Sequence, residues 1–366
     1  MPLIFDAHLD LAWNALSWNR DLTEPLAEVN EREVGMAADH RGRGRATVSL
    51  PEMRRGGVAA CLGTLLVRAK RDVQPAEGHR RRDLDVATQE IACAHARGQL
   101  AYYELLAARG EIRLIRTAGD LRAHWAWWTA PRGAGDPPTP VGLVLAMEGA
   151  DAIVEPRQVE QWWHLGLRAV GLAHYGQGHY AYGTGGEGPL TPRGVELLRE
   201  LRRVGMIVDL THSSDPSFFQ ALDLFDGPVF ASHNNCRALV PGDRQYSDEQ
   251  ILRLIDRGGV IGAALDAWML LPGYVKGETP RERVPLEAVV DHIDHVCQLA
   301  GNSLHAAIGS DLDGGFGTEQ TPAGLDTIAD LQKLDGMLRA RGYGNEDVDN
   351  VFHANWVRFF TRWLPR

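Results

Sequence analysis

The stretch Leu3-Ile4-Phe5-Asp6-Ala7-His8-Leu9-Asp10 determines the fold prediction, because a short apolar run ends in residues with ionisable side chains. The same pattern returns along the chain, where apolar runs of strand length are separated by amphipathic segments. We predict eight strands, at residues 3–8, 58–67, 141–147, 169–173, 206–211, 229–232, 260–264 and 306–310. We predict helices at residues 83–109, 193–204, 215–224, 248–257, 285–300 and 325–341. Such alternation is typical of βα units, and eight strands predict an α/β fold of the closed (β/α)8 TIM-barrel type.

An open, doubly wound sheet gives a similar alternation, but it normally carries a glycine-rich phosphate loop after an early strand. The sequence has no such loop in that position. The glycine-rich stretch at residues 183–188 lies well beyond its strand and lacks the lysine of a P-loop. We interpret it as a mobile loop on the active side of the barrel, with a plain flexible linker as the alternative.

The longest interruption of the pattern runs from Gly110 to Pro140 and contains Trp125, Trp127 and Trp128. A segment of about 30 residues is too short to form a core of its own. We therefore expect an inserted helix and surface loop within one domain that spans residues 1–366. For the clustered tryptophans, a packed insertion is favoured over a lid or an oligomer contact.

The composition is that of an ordinary globular protein, with 366 residues, 44% of them hydrophobic and 23% charged. The formal net charge of −10 argues against a nucleic-acid partner. The four cysteines are far apart and form no Cys-x-x-Cys pair, which favours reduced thiols in the cytoplasm. Because residues 1–5 are too short for the apolar region of a signal peptide, we expect none. No apolar stretch approaches the ~18 residues of a membrane span. We expect no membrane partner; a homodimer is the commonest assembly for a soluble protein.

Ionisable residues stand at the carboxyl ends of most predicted strands. They are His8 and Asp10, Glu148, His174, His212, His233 and Asp311. In a β/α barrel this end of the strands holds the active site. A single histidine there is more often packed and hydrogen-bonded than bound to a metal. The convergence of so many polar strand ends is what favours a catalytic site.

Five of these residues have the chemistry of a metal site. His8 and Asp10 are two residues apart, so on a strand their side chains share one face, although either also fits a helix cap. With Glu148, His212 and His233 they give three imidazoles and two carboxylates, a set suited to Zn²⁺, with Mn²⁺ or Co²⁺ as substitutes. Five ligands exceed the needs of one tetrahedral ion. A bridging carboxylate such as Glu148 would accommodate two ions about 3.5–4 Å apart.

The ordered set of motifs resembles the renal-type (membrane) dipeptidases, peptidase family M19 of the amidohydrolase superfamily. The motifs are Asp6-Ala7-His8-Leu9-Asp10-Leu11, Met147-Glu148-Gly149-Ala150, Gly171-Leu172-Ala173-His174, Asp209-Leu210-Thr211-His212-Ser213-Ser214, Ala231-Ser232-His233-Asn234-Asn235 and Gly309-Ser310-Asp311-Leu312-Asp313-Gly314. Residues 189–194 and the element Arg244-Gln245-Tyr246-Ser247-Asp248 fit the same pattern. Leu312 and Gln245 stand where Phe and Asn are usual in the family, and neither change removes a ligand.

The resemblance implies a β/α barrel that cleaves dipeptides with two zinc ions. His8 and Asp10 would bind the first ion, His212 and His233 the second, and Glu148 would bridge them.

The resemblance also assigns residues that do not bind metal. Asp311 would receive the proton of a metal-bridging hydroxide and pass it to the leaving amine. His174 would hydrogen-bond the substrate carbonyl oxygen, and Arg244 would bind the carboxylate at the dipeptide's C-terminus. Tolerance of a D-residue at the C-terminal position is a family expectation.

Other functions stay open from the sequence alone. A related amidohydrolase acting on N-acyl amino acids or lactams would use the same metals with a different pocket. A non-catalytic metal-binding barrel is a further alternative, but it would not need the carboxylate of Asp311 beside the metals. A sugar-phosphate isomerase would need a phosphate-binding loop near the last strands, and Gly314-Gly315-Phe316-Gly317 is better explained as a turn.

Several remaining polar residues have structural explanations. Asp313 and Asp266 also lie near strand ends, and we interpret Asp313 as a turn-forming residue or a support for the site. His292 and His295 are predicted on a helix outside the barrel and are interpreted as structural. For His179, Tyr180 and Tyr182 a pocket-lining and a surface position are equally expected.

Overall fold

The computed structural model describes residues 1–70, 84–131, 133 and 138–366, and the structural statements below concern these residues. Their strands are β1 (Ile4–Leu9), β2 (Val58–Leu66), β3 (Arg68–Ala69), β4 (Asp85–Val86), β5 (Ile112–Leu114), β6 (Val141–Glu148), β7 (Leu167–Gly171), β8 (Ile207–Asp209), β9 (Val229–Phe230), β10 (Ile261–Ala263) and β11 (Ala306–Ile308). Their α-helices are α1 (Leu11–Trp18), α2 (Leu26–Arg32), α3 (Leu50–Arg55), α4 (Gln89–Ala108), α5 (Ala118–Thr129), α6 (Val159–His164), α7 (Pro192–Val204), α8 (Asp215–Leu224), α9 (Asp248–Asp256), α10 (Glu287–Ala300), α11 (Lys333–Ala340), α12 (Asn345–Asp349) and α13 (Asn355–Trp363).

All strand pairs are parallel, and eight of the strands form the barrel. Six are hydrogen-bonded in the order β1-β2-β6-β7-β8-β9, and β10 pairs with β11. A parallel bridge between Ala231 and Ile261 joins β9 to β10. Two parallel strands that are neighbours in the sheet must be joined by a crossover segment. The helices and loops that make these crossovers cover the outside of the barrel. The prediction of an α/β barrel is confirmed, and each of the eight predicted strands has its counterpart.

The side chain of Asp6 links β11 to β1, where the described residues form no backbone ladder. Its Oδ1 accepts hydrogen bonds from the backbone N–H of Ser310, at 2.8 Å, and from that of His8, at 3.2 Å. Asp6 is fully buried. One carboxylate thus joins the first and last strands immediately before His8 and Asp311.

A β-bulge in β1 directs His8 and Asp10 into the barrel mouth. The pairing of β1 with β2 shifts register between Asp6 and Leu9. Phe5 and Ala7 pack with residues from strands around the whole barrel, so they face its interior. Without the extra residue of the bulge, the two-residue period of a strand would turn His8 to the opposite face from Ala7.

The C-terminal helix α13 contributes to the core at the opposite end of the barrel. Phe360 stacks on Phe5 with ring centroids 5.4 Å apart, and Trp356 Nε1 donates to the carbonyl of Ile308 at 2.9 Å. Phe360 and Trp356 are both fully buried. Small interior residues such as Ala7 and Ala146 leave the space that these rings fill.

The segment from Gly110 to Pro140 contains a strand as well as the expected helix. Strand β5 pairs with the start of β6, and α5 begins with a capping box between Thr117 and Asp120. Trp125 stacks on His353 at 5.0 Å, and Trp128 Nε1 donates to the carbonyl of Pro140 at 3.0 Å. Trp125 and Trp128 are therefore packed against the protein, as expected for a packed insertion. Residues 132 and 134–137 of the expected loop lie outside the described residues.

The predicted helices are present; four agree with the prediction to within two residues at each end, and two differ by more. The segment expected at residues 325–341 is a 3-10 turn at Ile328–Gln332 followed by α11. Residue 83, the expected start of α4, lies outside the described residues, and α4 begins after the N-cap Thr88. No helix in the described ranges is long and apolar enough to cross a bilayer.

Candidate metal centre

The five predicted metal ligands converge at the carboxyl ends of β1, β6, β8 and β9. Their side-chain ligand atoms form overlapping groups, each within 4.8 Å, one of His8, Asp10 and Glu148 and another of Glu148, His212 and His233. All five are buried. Asp10 directly precedes α1, yet its side chain makes no cap hydrogen bond, so helix capping does not explain it.

Glu148 lies between the two groups, with one carboxylate oxygen toward each. Its Oε2 is 3.5 Å from Nε2 of His8. Its Oε1 is 3.3 Å from Nε2 of His212 and 3.4 Å from Nε2 of His233. A carboxylate placed in this way has the geometry of a bridging ligand.

Hydroxyl groups behind the ligands fix their orientation. His212 Nδ1 is 3.1 Å from Thr184 Oγ1, and His233 Nδ1 is 2.8 Å from Ser232 Oγ. Thr64 Oγ1 donates to Asp10 Oδ1. Because a hydroxyl can accept from each Nδ1–H, the Nε2 lone pairs are left free to face the centre.

The donor set fits divalent metal ions. Nε2 of His8 is buried without a hydrogen-bond partner, and Nε2 of His212 lies 3.2 Å from Nε2 of His233. Here two imidazole nitrogens face each other and also face a carboxylate oxygen. Burying these polar atoms together costs free energy unless a cation lies among them. Imidazole and carboxylate ligands suit zinc and its first-row neighbours.

Burial and nearby charges set the protonation of these histidines. Burial, reinforced by the positive charge of Arg244, holds the pKa of His212 well below its usual value. Burial also holds the pKa of His233 well below that value. The neutral imidazole is the form that binds metal. Burial opposes the charging of His8 as well, but Glu148 and Asp10 outweigh it and raise the pKa of His8.

Two site residues have a backbone conformation that side chains rarely adopt. His212 has φ = 65° and Asp311 has φ = 59°, both in the left-handed region. Such strain persists only where the surrounding structure imposes it, and it is concentrated at functional sites. Each residue lies three positions beyond its strand, where the left-handed turn directs the side chain into the mouth of the barrel.

Asp311 lies beside the ligands and in contact with the cavity above them. Its Oδ1 is 3.8 Å from Nε2 of His8, and its side chain is 16% exposed. Burial, reinforced by Glu148 and Asp10, raises the pKa of Asp311 well above its usual value. A buried carboxyl group with a raised pKa is suited to exchanging a proton.

His174 and Arg244 line the same cavity, which has a volume of about 280 Å³. His174 Nε2 lies 3.7 Å from Glu148 Oε1. Arg244 donates to Asn234 Oδ1 at 2.8 Å and to the carbonyl of His233 at 2.9 Å. Its guanidinium is buried, and among the described residues it forms no ion pair with a carboxylate. A buried cation of this kind is a strong candidate for binding an anionic ligand.

Sequence reasoning did not identify several residues around the centre. Trp13, Arg68, Trp268 and Lys276 line the cavity. Asp266, which the sequence places near a strand end without a role, also lines it and forms an ion pair with Lys276 at 3.3 Å. Trp13, Arg68, Trp268 and Lys276 lie in helical segments, the short strand β3 and a loop, whose approach to the centre is set by the tertiary fold. No motif or spacing in the sequence signals them.

The remaining polar residues have structural partners. Asp313 accepts hydrogen bonds from the backbone N–H groups of Thr47 and Val48 and so holds this segment next to the site. His292 Nδ1 accepts from the backbone N–H of Cys236, as expected of a structural histidine.

The loop after β7 also packs against the protein. His179 contacts Asp151 at 3.1 Å, and the hydroxyl of the buried Tyr180 donates to the carbonyl of Ile153. In the glycine-rich stretch at residues 183–188, Thr184 Oγ1 lies 3.1 Å from Nδ1 of His212. This loop therefore supports a ligand from behind, and His179, Tyr180 and Tyr182 do not belong to the described cavity lining.

Comparison with known proteins identifies a family whose model spans nearly the whole chain and a curated relative that matches part of it. A family model described as membrane dipeptidase (peptidase family M19) matches residues 1–363. Dipeptidase tcpJ of Claviceps purpurea is 32% identical over 223 residues, a match that covers 59% of this chain and 49% of tcpJ. The match thus spans about half the length of that curated relative.

Two solved structures share the fold over nearly their full length. The metallopeptidase dipeptidase AC of family M19 is 24% identical, with a TM-score of 0.77, and covers 100% of this chain and 99% of its own. A metallopeptidase from Rhodobacter sphaeroides, bound to a phosphinate mimic of the dipeptide L-Ala-D-Ala, is 24% identical, with a TM-score of 0.75 and 99% coverage of both chains.

A parallel α/β barrel with imidazoles and carboxylates clustered at the carboxyl ends of its strands is the architecture of a metal-dependent hydrolase. The family match covers nearly the whole sequence, and the chain belongs to the membrane dipeptidase family, peptidase family M19. The predicted family and the predicted class of enzyme, a metal-dependent dipeptidase, are confirmed at this level.

Proposed function

We propose that the chain is a binuclear zinc dipeptidase, with Mn²⁺ or Co²⁺ as substitutes for Zn²⁺. The carrying observation is the position of Glu148, whose Oε2 faces His8 and whose Oε1 faces His212 and His233. In this proposal His8 and Asp10 hold one ion, His212 and His233 hold the other, and Glu148 joins them. The two ions would supply an ionised water molecule near neutral pH and polarise the peptide carbonyl.

Asp311 handles the proton in this proposal. It stands 3.8 Å from His8 Nε2 and reaches the cavity where the peptide must lie. During cleavage the carboxylate takes the proton of the attacking water and delivers it to the nitrogen of the leaving amine. The peptide C–N bond breaks, and the two products are a free carboxylate and a free amine.

His174 and Arg244 orient the dipeptide. The imidazole of His174 donates to the carbonyl oxygen, where negative charge develops as the water attacks. The guanidinium of Arg244, which has no carboxylate partner among the described residues, binds the C-terminal carboxylate of the dipeptide. This contact selects a peptide that ends one residue beyond the cleaved bond. The small cavity, about 280 Å³, fits a short substrate. A D-residue at the C-terminal position is part of the proposal, since the Rhodobacter relative binds a mimic of L-Ala-D-Ala.

An enzyme for N-acyl amino acids is the second candidate, because Arg244 equally suits any free carboxylate next to the cleaved bond. Lactams would be hydrolysed by the same chemistry. A cytoplasmic location, a single domain and a homodimer stay predictions.

Hydrolysis of a dipeptide library tests the proposal. Zinc-loaded protein should cleave L-Xaa-L-Xaa or L-Xaa-D-Xaa dipeptides, and Asp311→Asn should lower kcat by about 10²–10⁴-fold because it cannot accept the proton. Metal content of the variant, measured by mass spectrometry, should equal that of the wild type. If the wild type holds metal and cleaves no dipeptide, the peptide assignment fails, and N-acyl amino acids and lactams are the next substrates.

A further inference from the structure

Arg68 is held in one orientation by a carboxylate on the neighbouring short strand. Strands β3 and β4 pair Arg68 with Asp85, and the two side chains form two hydrogen bonds, Nε to Oδ1 at 2.7 Å and Nη2 to Oδ2 at 2.9 Å. Each side chain is 17% exposed. A bidentate pair fixes the plane of the guanidinium, so the direction of its remaining nitrogen, Nη1, is fixed as well.

That remaining nitrogen faces the imidazole of His174. Arg68 Nη1 lies 3.3 Å from Nδ1 of His174. A guanidinium has only donors and keeps its protons, so Nδ1 must be the acceptor of this hydrogen bond. A proton on Nδ1 would turn two donors toward each other.

The single proton of the neutral ring is therefore on Nε2. This nitrogen points to the metal centre, 3.7 Å from Glu148 Oε1, and His174 lines the cavity. Only a ring with a proton on Nε2 can donate to an oxygen placed there. The opposite tautomer would turn a lone pair toward the developing negative charge.

We propose that Arg68, held by Asp85, is a positioning residue that sets the Nε2–H tautomer and the ring orientation of His174. The role rests on the proposed function, since it requires that His174 donate to the substrate oxygen. Arg68→Met leaves Nδ1 without its donor and leaves the Asp85 carboxylate, which only accepts, without its partner. Both changes favour a proton on the wrong nitrogen.

The test has two readouts on zinc-loaded protein. The first is the ¹⁵N and ¹H spectrum of histidine-labelled protein, in which His174→Asn assigns the signals. We expect an unprotonated Nδ1 and a protonated Nε2 for His174 in the wild type, and a loss of this preference in Arg68→Met. The second is hydrolysis of L-Ala-L-Ala and L-Ala-D-Ala, where Arg68→Met should lower kcat by about 10–100-fold and change KM less than about threefold.

Three further variants separate positioning from general stability. Arg68→Lys should recover part of kcat, because an ammonium group also donates only. Asp85→Asn should give a smaller loss than Arg68→Met, and it serves in place of that variant if Arg68→Met does not fold. The matched control is Arg54→Met, which removes an arginine of equal exposure, 17%, that pairs with Glu111 at 2.6 Å. It should keep the kcat of the wild type.

A proton on Nδ1 of His174 in the wild type would overturn the inference, as would an Arg68→Met variant with kcat within twofold of the control. If the wild type hydrolyses no dipeptide, the proposed function fails. The spectrum of His174 would still decide whether Arg68 sets the tautomer.

Discussion

Individual side chains determine which substrates the site accepts, and Arg244 gives the clearest prediction. Its buried guanidinium donates to Asn234 and to the His233 carbonyl, with no carboxylate partner among the described residues. Arg244→Met should lower kcat/KM for L-Ala-L-Ala by about 10–100-fold, because a charged hydrogen bond to the substrate is lost. For the C-terminal amide of the same dipeptide, Arg244→Met should lower kcat/KM far less, because this substrate has no carboxylate for Arg244 to bind.

The wild type and variant are compared on both substrates. Arg253→Met, which removes an exposed arginine paired with Asp223, is the control. Equal losses on the acid and the amide would show that Arg244 does not bind the C-terminal carboxylate.

At the residue scale, the sequence predicted which strand-end side chains come together better than it predicted their surroundings. The convergence of His8, Glu148, His212 and His233 was predictable because each follows an apolar run, which is visible in the sequence. Thr184 could not be found in this way, because its contact with His212 depends on how a loop folds back. The left-handed φ of His212 has no sequence signal either, since histidine shows no preference strong enough to predict it.

At the scale of secondary-structure elements, hydrogen bonds connect the loops that follow neighbouring strands. Asp209, at the end of β8, makes one such connection. Its Oδ1 accepts from the backbone N–H of Thr211 at 3.0 Å and from that of Ser232 at 3.1 Å. These residues directly precede His212 and His233. The carboxylate thus ties together the two loops that carry the second group of ligands.

Asp209→Ala should lower the free energy of unfolding by about 2–4 kcal/mol, because two N–H groups lose their acceptor. It should also weaken zinc binding. Asp209→Asn keeps an acceptor oxygen and should lower the free energy of unfolding by less than about 1 kcal/mol. Urea unfolding and zinc titration measure the two effects. Equal behaviour of the two variants would contradict this role.

At the scale of elements, strands and helices were predictable because their apolar periodicity is local. The bulge of β1 was not, although it decides which way His8 points, because it depends on the register with β2. Strand β5 was missed because it is only three residues long, Ile112–Leu114, within a segment dominated by polar and glycine residues.

Buried histidines couple the stability of the whole molecule to pH. Burial lowers the pKa of His124 to about 4 and that of His292 to about 4. In the unfolded chain a histidine titrates near pH 6.5. Between these values the unfolded state binds more protons, so stability is fully present above pH 6.5 and is lost as the pH falls toward 4.

Each such histidine should contribute about 1.4 kcal/mol per pH unit to this slope. His124 Nε2 donates to the carbonyl of Ala59 at 2.8 Å, and Gln can donate there as well. His124→Gln should therefore reduce the slope of unfolding free energy against pH between 6.5 and 4. His95→Gln, at an exposed position of α4, is the control. An unchanged slope in His124→Gln would contradict the prediction.

The barrel itself follows from the sequence, because eight apolar runs with polar ends can close in few ways. The way the barrel closes could not be predicted from the apolar pattern, because the contact between β11 and β1 depends on one buried carboxylate, Asp6. The C-terminal helix α13 was likewise not foreseen as part of the core. Its aromatic residues pack against Phe5, which is more than 300 positions away in the sequence.

The central claim is a site for two metal ions bridged by Glu148. The most direct test titrates metal-free protein with Zn²⁺ while bound metal and hydrolysis of L-Ala-L-Ala and L-Ala-D-Ala are followed together. Binding should saturate at two ions per chain, with activity rising to its maximum at the second, and Glu148→Gln should weaken both. Saturation at one ion per chain with full activity, or activity in the metal-free protein, would contradict the account.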